Sequence, residues 1–166
     1  MALALAGPVS GARPDHVFGV GLKTLWSEAE LAALARRAET PPRRLARLGA
    51  LQLHLRVSGL DDLVSCDDPI ARAGVCRDGD GWRLAMDSRA NAVGAPPMAA
   101  LCAQALAPFA LACGTRDGLA DLADLRRWDP QAAGLPGVAH NAMIEAPEAV
   151  WRWMASRGES ADVRVG

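Results

Sequence analysis

The sequence predicts an α/β fold, a short parallel sheet carrying a mainly helical insertion, and three observations lead there. Two uncharged apolar runs, Ala2 to Ala6 and Phe109 to Cys113, have the character of strands buried on both faces. A third short run, Ala132 to Leu135, lies between turn residues. Capped or proline-initiated stretches with helical spacing separate and follow these runs. Strand, helical excursion, strand, helix, strand, helix is the order that parallel strands with right-handed crossovers require.

Taken in order, the first run ends at Gly7-Pro8, and a Gly- and Pro-rich loop follows. Ser27 with Glu30 three residues on makes a capping box, Trp26 and Leu31 occupy the staple positions, and Leu31, Leu34, Ala35 and Ala38 predict a helix over 28–38. Thr40-Pro41-Pro42 is expected to start a second helix with Leu45, Leu48, Leu51 and Leu55 on one face, ending near Ser58-Gly59. Residues 60–80 mix acidic and turn residues without a period and read as loop. Within and beyond their end, Val75 to Arg77 and Trp82 to Met86 flank Asp78-Gly79-Asp80-Gly81 as a hairpin. Pro96-Pro97 opens a third helix toward Leu106, and Leu119, Leu122, Ala123 and Arg126 space a fourth. The last helix begins at Pro147-Glu148 with Val150, Trp151 and Met154 expected on its inner side.

Composition narrows the function. At 166 residues the chain suits one domain or part of a larger one, and 51% hydrophobic with 22% charged residues is ordinary for a packed protein. Lys+Arg 18 against Asp+Glu 19 leaves a net charge of -1, so no positive field gathers phosphates, and neither nucleic acid nor an anionic membrane is an expected partner. No stretch reaches the roughly 18 apolar residues of a membrane span, and Ala2 to Ala6 lacks the basic flank of an export signal. Cys66, Cys76, Cys102 and Cys113 form no Cys-x-x-Cys pair and have no histidine at ligand spacing. Reduced thiols, a cytoplasmic protein and no metal are expected. With no Gly-rich phosphate loop either, no cofactor is implied.

In an open α/β sheet the working residues gather just past the carboxyl ends of the strands. The run 109–113 exits into Gly114-Thr115-Arg116-Asp117, and the run ending at Leu135 exits into Pro136-Gly137-Val138-Ala139-His140. Asp117 and His140 should therefore lie side by side, a carboxylate orienting a general base. Asp117 also precedes Gly118-Leu119 at a helix start and could serve as an N-cap. His54, among Leu51, Leu53 and Leu55, reads as structural or surface.

At these residues the chain resembles the α/β-hydrolase family. Pro108-Phe-Ala-Leu-Ala-Cys-Gly114-Thr-Arg-Asp117, then Pro136-Gly-Val-Ala-His140, then Glu145-Ala-Pro147-Glu148 match the family's last strands and closing helix in order. The resemblance implies that the chain is the C-terminal part of that fold, with Ala2 to Pro8 as the sixth strand. Residues 1–14 and 101–166 would be a partial hydrolase core and residues 15–100 a mainly helical cap. It implies a hydrolase of the Ser-Asp-His type acting on an ester or similarly activated bond of a small-molecule substrate, with Asp117 and His140 as acid and base. Trp26 at the cap entrance and His16, in a loop expected to face the active site, are candidate substrate contacts.

The nucleophile elbow Gly-x-Ser-x-Gly does not occur in the sequence, and neither Ser10 nor Ser160 has the spacing and position it needs. The serine would then lie upstream or on a partner polypeptide supplying the N-terminal half. A second reading is a non-catalytic half-domain that binds a partner, or a second copy of itself as a homodimer, through the exposed edge of its first strand.

Overall fold

The computed structural model describes residues 7, 11 and 14–162, with side chains to residue 158. The expected strand over Ala2 to Ala6 lies outside the described residues. The chain divides into two compact units, Met1–Leu25 with Pro96–Gly166, and Trp26–Ala95. The sequence placed these boundaries at 14/15 and 100/101. Among the described residues no helix is long and apolar enough to cross a membrane.

The first unit is built on a parallel three-stranded sheet, order β1-β4-β5, formed by β1 (Val17–Val20), β4 (Phe109–Gly114) and β5 (Ala133–Leu135). β1 corrects the reading of its segment as loop. Val-Phe-Gly-Val is only four residues long, and the glycine interrupts the apolar pattern by which a strand is recognised. A methyl group at Gly19 would press on the ends of the Leu22 and Leu111 side chains, which would have to shift.

β4 is the central strand, and its lack of charge follows from burial on both faces. Ala110 and Ala112 point into one cluster with Leu135, Val138, Ala142, Val150 and Trp153. Leu111 and Cys113 point into another with Ala120, Leu125 and Ala132. β5 pairs only with Ala112 to Gly114, so the earlier Leu111 amide has no strand partner on that side. The buried carboxylate of Asp129 takes its place, accepting from Leu111 N at 2.9 Å and from Gln131 N at 2.9 Å.

Among the described residues the helices of this unit are α4 (Met98–Ala103), α5 (Leu122–Leu125), α6 (Ala142–Glu145) and α7 (Pro147–Asp162). α4 ends short of Leu106, and α6, a single turn, is too brief to show a period in sequence. α7 turns Val150 and Trp153 inward and leaves Trp151 69% exposed. The inner face thus runs through positions 150, 153 and 154, and the expectation for Trp151 fails because it sits about 100° round the helix from Val150.

The second unit has its own core. α1 (Glu28–Glu39) carries the expected capping box, with Ser27 Oγ accepting from Glu30 N at 3.2 Å and Ser27 N donating to Glu30 Oε2 at 2.9 Å. The next helix, α2 (Arg47–Val57), starts later than the prolines suggested. Thr40 caps the end of α1 instead, donating its hydroxyl to Arg36 O at 3.0 Å. Residues preceding proline avoid helical backbone, which holds Thr40 and Pro41 extended. Leu45 then forms a bridge to Trp82 rather than a helical turn, and Leu48 is 58% exposed. Ala50, Leu51 and Leu55 pack with Leu60, Ala71 and Val75.

α3 (Pro69–Ala73), capped by Asp68, interrupts the stretch read as loop. β2 (Val75–Asp78) and β3 (Gly81–Leu84) pair antiparallel as the expected hairpin, with Gly79 at φ +62° in its turn. His54 packs against the glycine that follows α3. Its imidazole occupies the space that a side chain at Gly74 would need.

Candidate active site

The site forms where β4 and β5 end. The β4 exit folds tightly: Thr115 N donates to Leu135 O at 2.9 Å, Arg116 N to Val138 O at 2.9 Å, and Gly137 N to Thr115 Oγ1 at 2.9 Å. These bonds stitch the two exit loops together. Gly114 makes their approach feasible, since a methyl group there would overlap the carbonyl oxygens of Val138 and Ala139. Gly137, at φ +71°, lets the second loop turn back over the strand ends.

The stitched loops bring Asp117 and His140 together. His140 Nδ1 lies 3.1 Å from Asp117 Oδ2 and 3.2 Å from Oδ1. The Asp117 side chain has no exposure, whereas that of His140 is 38% exposed. So the carboxylate is locked inside and the imidazole can meet a reactant. Asp117 Oδ1 also accepts from Leu119 N at 2.8 Å and Ala120 N at 3.0 Å. The cap and the histidine partner are therefore one residue in both roles.

Burial alone would raise the Asp117 carboxyl, but the amides of Ala120 and Leu119 and the imidazole of His140 outweigh it. The group sits below its ordinary value. An ionised carboxylate only accepts hydrogen bonds, so the contact requires the proton on His140 Nδ1, and in the neutral imidazole Nε2 then keeps its lone pair. That tautomer is the one a general base requires.

Two further residues frame the pair. Gly21, just past β1, donates its N–H to Ala112 O at 2.9 Å. It adopts φ +67°, and a methyl group there would sit 3.2 Å from His140 O and 3.5 Å from Asp117 Oδ2. Glu145 accepts from Ala139 N at 2.8 Å and Asn141 N at 3.2 Å. Sequence reading missed Gly21, because its strand was not recognised. It used Glu145 only as the marker of a helix start.

His16 is corrected. It precedes β1 and so sits at the amino end of the parallel strands, whereas Asp117 and His140 lie past their carboxyl ends. It stacks on Phe18 at 4.5 Å, and Phe18 meets the edge of Trp153 at 5.5 Å. Burial, with a smaller contribution from Arg157, lowers its pKa, and both ring nitrogens are buried without a hydrogen-bond partner among the described residues. That is a histidine packed against an aromatic ring. Trp26 opens the second unit, and the geometry above involves the first unit alone. Burial, and then the nearby charges of Asp117 and Asp121, raise the Cys113 thiol, which makes it a poor nucleophile. Among the described residues no three His, Cys, Asp or Glu side chains gather as metal ligands.

This architecture recurs among solved structures. E-2-(acetamidomethylene)succinate hydrolase matches with a TM-score of 0.66 at 18% identity, over 93% of this chain and 60% of that one. The thioesterase domain from the curacin biosynthetic pathway matches with a TM-score of 0.64 at 17% identity, over 93% and 60% respectively. The chain has the α/β-hydrolase fold. It corresponds to the C-terminal part of that fold and spans about 60% of the length of the structures it matches. No protein-family model and no curated protein matches the sequence. Within the α/β-hydrolase fold the two exit loops fall where ligand chemistry gathers in open parallel sheets.

Proposed function

We propose that Asp117 and His140 are the acid and base of a hydrolase site that cleaves an ester or a comparably activated bond of a small molecule. The contact between a buried carboxylate and an exposed imidazole carries this reading. Asp117 fixes the Nδ1–H tautomer and favours the imidazolium that forms when Nε2 takes a proton from the nucleophile. Nε2 then returns that proton to the leaving group. The nucleophilic hydroxyl and the donors for the developing oxyanion come from a polypeptide segment outside residues 1–166, since the sequence holds no Gly-x-Ser-x-Gly.

The test begins with the gene, read in frame upstream of Met1. Where it encodes a Gly-x-Ser-x-Gly after an apolar strand, the joined polypeptide is assayed on p-nitrophenyl esters. Asp117→Asn and His140→Ala should each lower kcat by about 10⁴-fold. Hydrolysis indifferent to both would overturn the assignment, as would hydrolysis by the isolated chain that is lost with His140 yet survives replacement of every serine.

A second reading, a binding half-domain, draws on one observation. Among the described residues β1 is paired on one side only, with β4. An open strand edge can recruit a strand from a partner or from a second copy of the chain.

A further inference from the structure

We propose that Glu145 is the positioning residue of the His140 loop, holding the imidazole against Asp117 by binding the peptide amides on either side of the histidine. The inference rests on the Asp117–His140 reading above and adds what keeps that pair in register.

One carboxylate receives two N–H groups two residues apart, Ala139 N on Oε2 at 2.8 Å and Asn141 N on Oε1 at 3.2 Å. His140 is the residue between them. The other end of the Asn141 unit is held as well, because Asn141 O accepts from Glu145 N at 3.0 Å and Ile144 N at 2.8 Å. Upstream, the Arg116 N bond to Val138 O fixes the loop to the Asp117 side of the site. His140 is thus suspended between two anchors, one on the aspartate loop and one on Glu145.

The second anchor matters because of what His140 lacks. Its side chain is 38% exposed, so packing on its outer face does not set the direction of the ring. The ring's direction rests on its bond to Asp117 and on the backbone that carries it to that bond. α6 is one turn long, too short to hold its own shape. The carboxylate reaching back across that turn supplies the missing constraint, with charge-assisted bonds stronger than neutral ones. Chemistry also selects glutamate over glutamine. Two converging donors need two acceptor oxygens, and a carboxamide would set its NH₂ against one of them.

The test uses the whole chain and needs neither substrate nor nucleophile. Side-chain ¹⁵N–¹H NMR of His140 and thermal melting are recorded for the wild type, Glu145→Ala, Glu145→Gln and the control Glu148→Ala, which removes an exposed acid from the first turn of α7. The wild type should show a slowly exchanging Nδ1–H proton. Glu145→Ala should lose that signal and shift toward the Nε2–H tautomer of free imidazole while the Leu119 and Ala120 amides keep their shifts. Glu145→Gln, retaining one acceptor, should hold the signal in part, and Glu148→Ala should leave it unchanged.

A wild-type Nδ1–H signal in Glu145→Ala, with only a lower melting temperature, would overturn the proposal and leave Glu145 a purely structural residue. Should Glu145→Ala fail to fold, Glu145→Gln decides, and a full wild-type signal there overturns it equally. Because the readout is the tautomer, an absence of esterase activity would count against the function above without touching this inference.

Discussion

At the scale of single residues, Asp117 concentrates the chemistry because it does two jobs with one carboxylate. Its two backbone bonds hold it still and its second oxygen faces His140. The folded state keeps this carboxyl below its ordinary value of 3.8. The unfolded chain therefore binds the proton more readily, and stability from this group is full above that value and is lost as pH falls through it toward the depressed folded value. Asp117→Asn should flatten that acid slope in melting temperature measured from neutral pH downward. An unchanged slope would show that another carboxylate governs it. The pairing of Asp117 with His140 was legible from strand exits alone, since a short loop after each of two adjacent parallel strands leaves few other places for the side chains to go. His16 precedes β1, a strand the sequence did not reveal, and so lies at the amino end of the sheet rather than at the strand exits.

Among the elements, β4 determines most of the first unit, because its alternating side chains fill two separate clusters. Leu111, 1% exposed, should cost about 2–5 kcal/mol as alanine. Gly114→Ala acts differently. It adds one methyl group against two backbone carbonyls that cannot swing aside, for about 1–3 kcal/mol, and it should also loosen the Asp117–His140 contact. Urea titrations give both stabilities, and the His140 Nδ1–H signal should weaken only in Gly114→Ala. Equal effects of the two variants on that signal would mean the loop crossing is not what seats the histidine. Long or well-punctuated elements were readable: the capping box of α1, the hairpin turn at Gly79, the uncharged run of β4. One-turn elements such as α3 and α6 were not, because four or five residues do not complete a repeat.

At the scale of the whole molecule, the feature with consequences is β1, which among the described residues is paired on one side only. Unpaired strand edges are a liability in a folded protein unless another strand covers them. Sedimentation of the purified chain should therefore show a dimer or, with a partner present, a hetero-complex, accompanied by slowed exchange of the Val17 to Val20 amides. A stable monomer whose β1 amides exchange freely would count against the binding reading. The chain spans about 60% of the structures that share its fold, and the parallel order β1-β4-β5 is the portion it supplies.

By itself the sequence determined the fold class, the two strand exits and the residues they deliver, because uncharged runs, caps and turn residues act locally and leave their mark within a few positions. Only the tertiary structure decided which short segment became the third strand, which face of α7 turned inward, and that a glycine past β1 and the glutamate that ends α6 frame the histidine. Those outcomes depend on what packs against each segment from elsewhere in the chain, and no window of sequence contains that information.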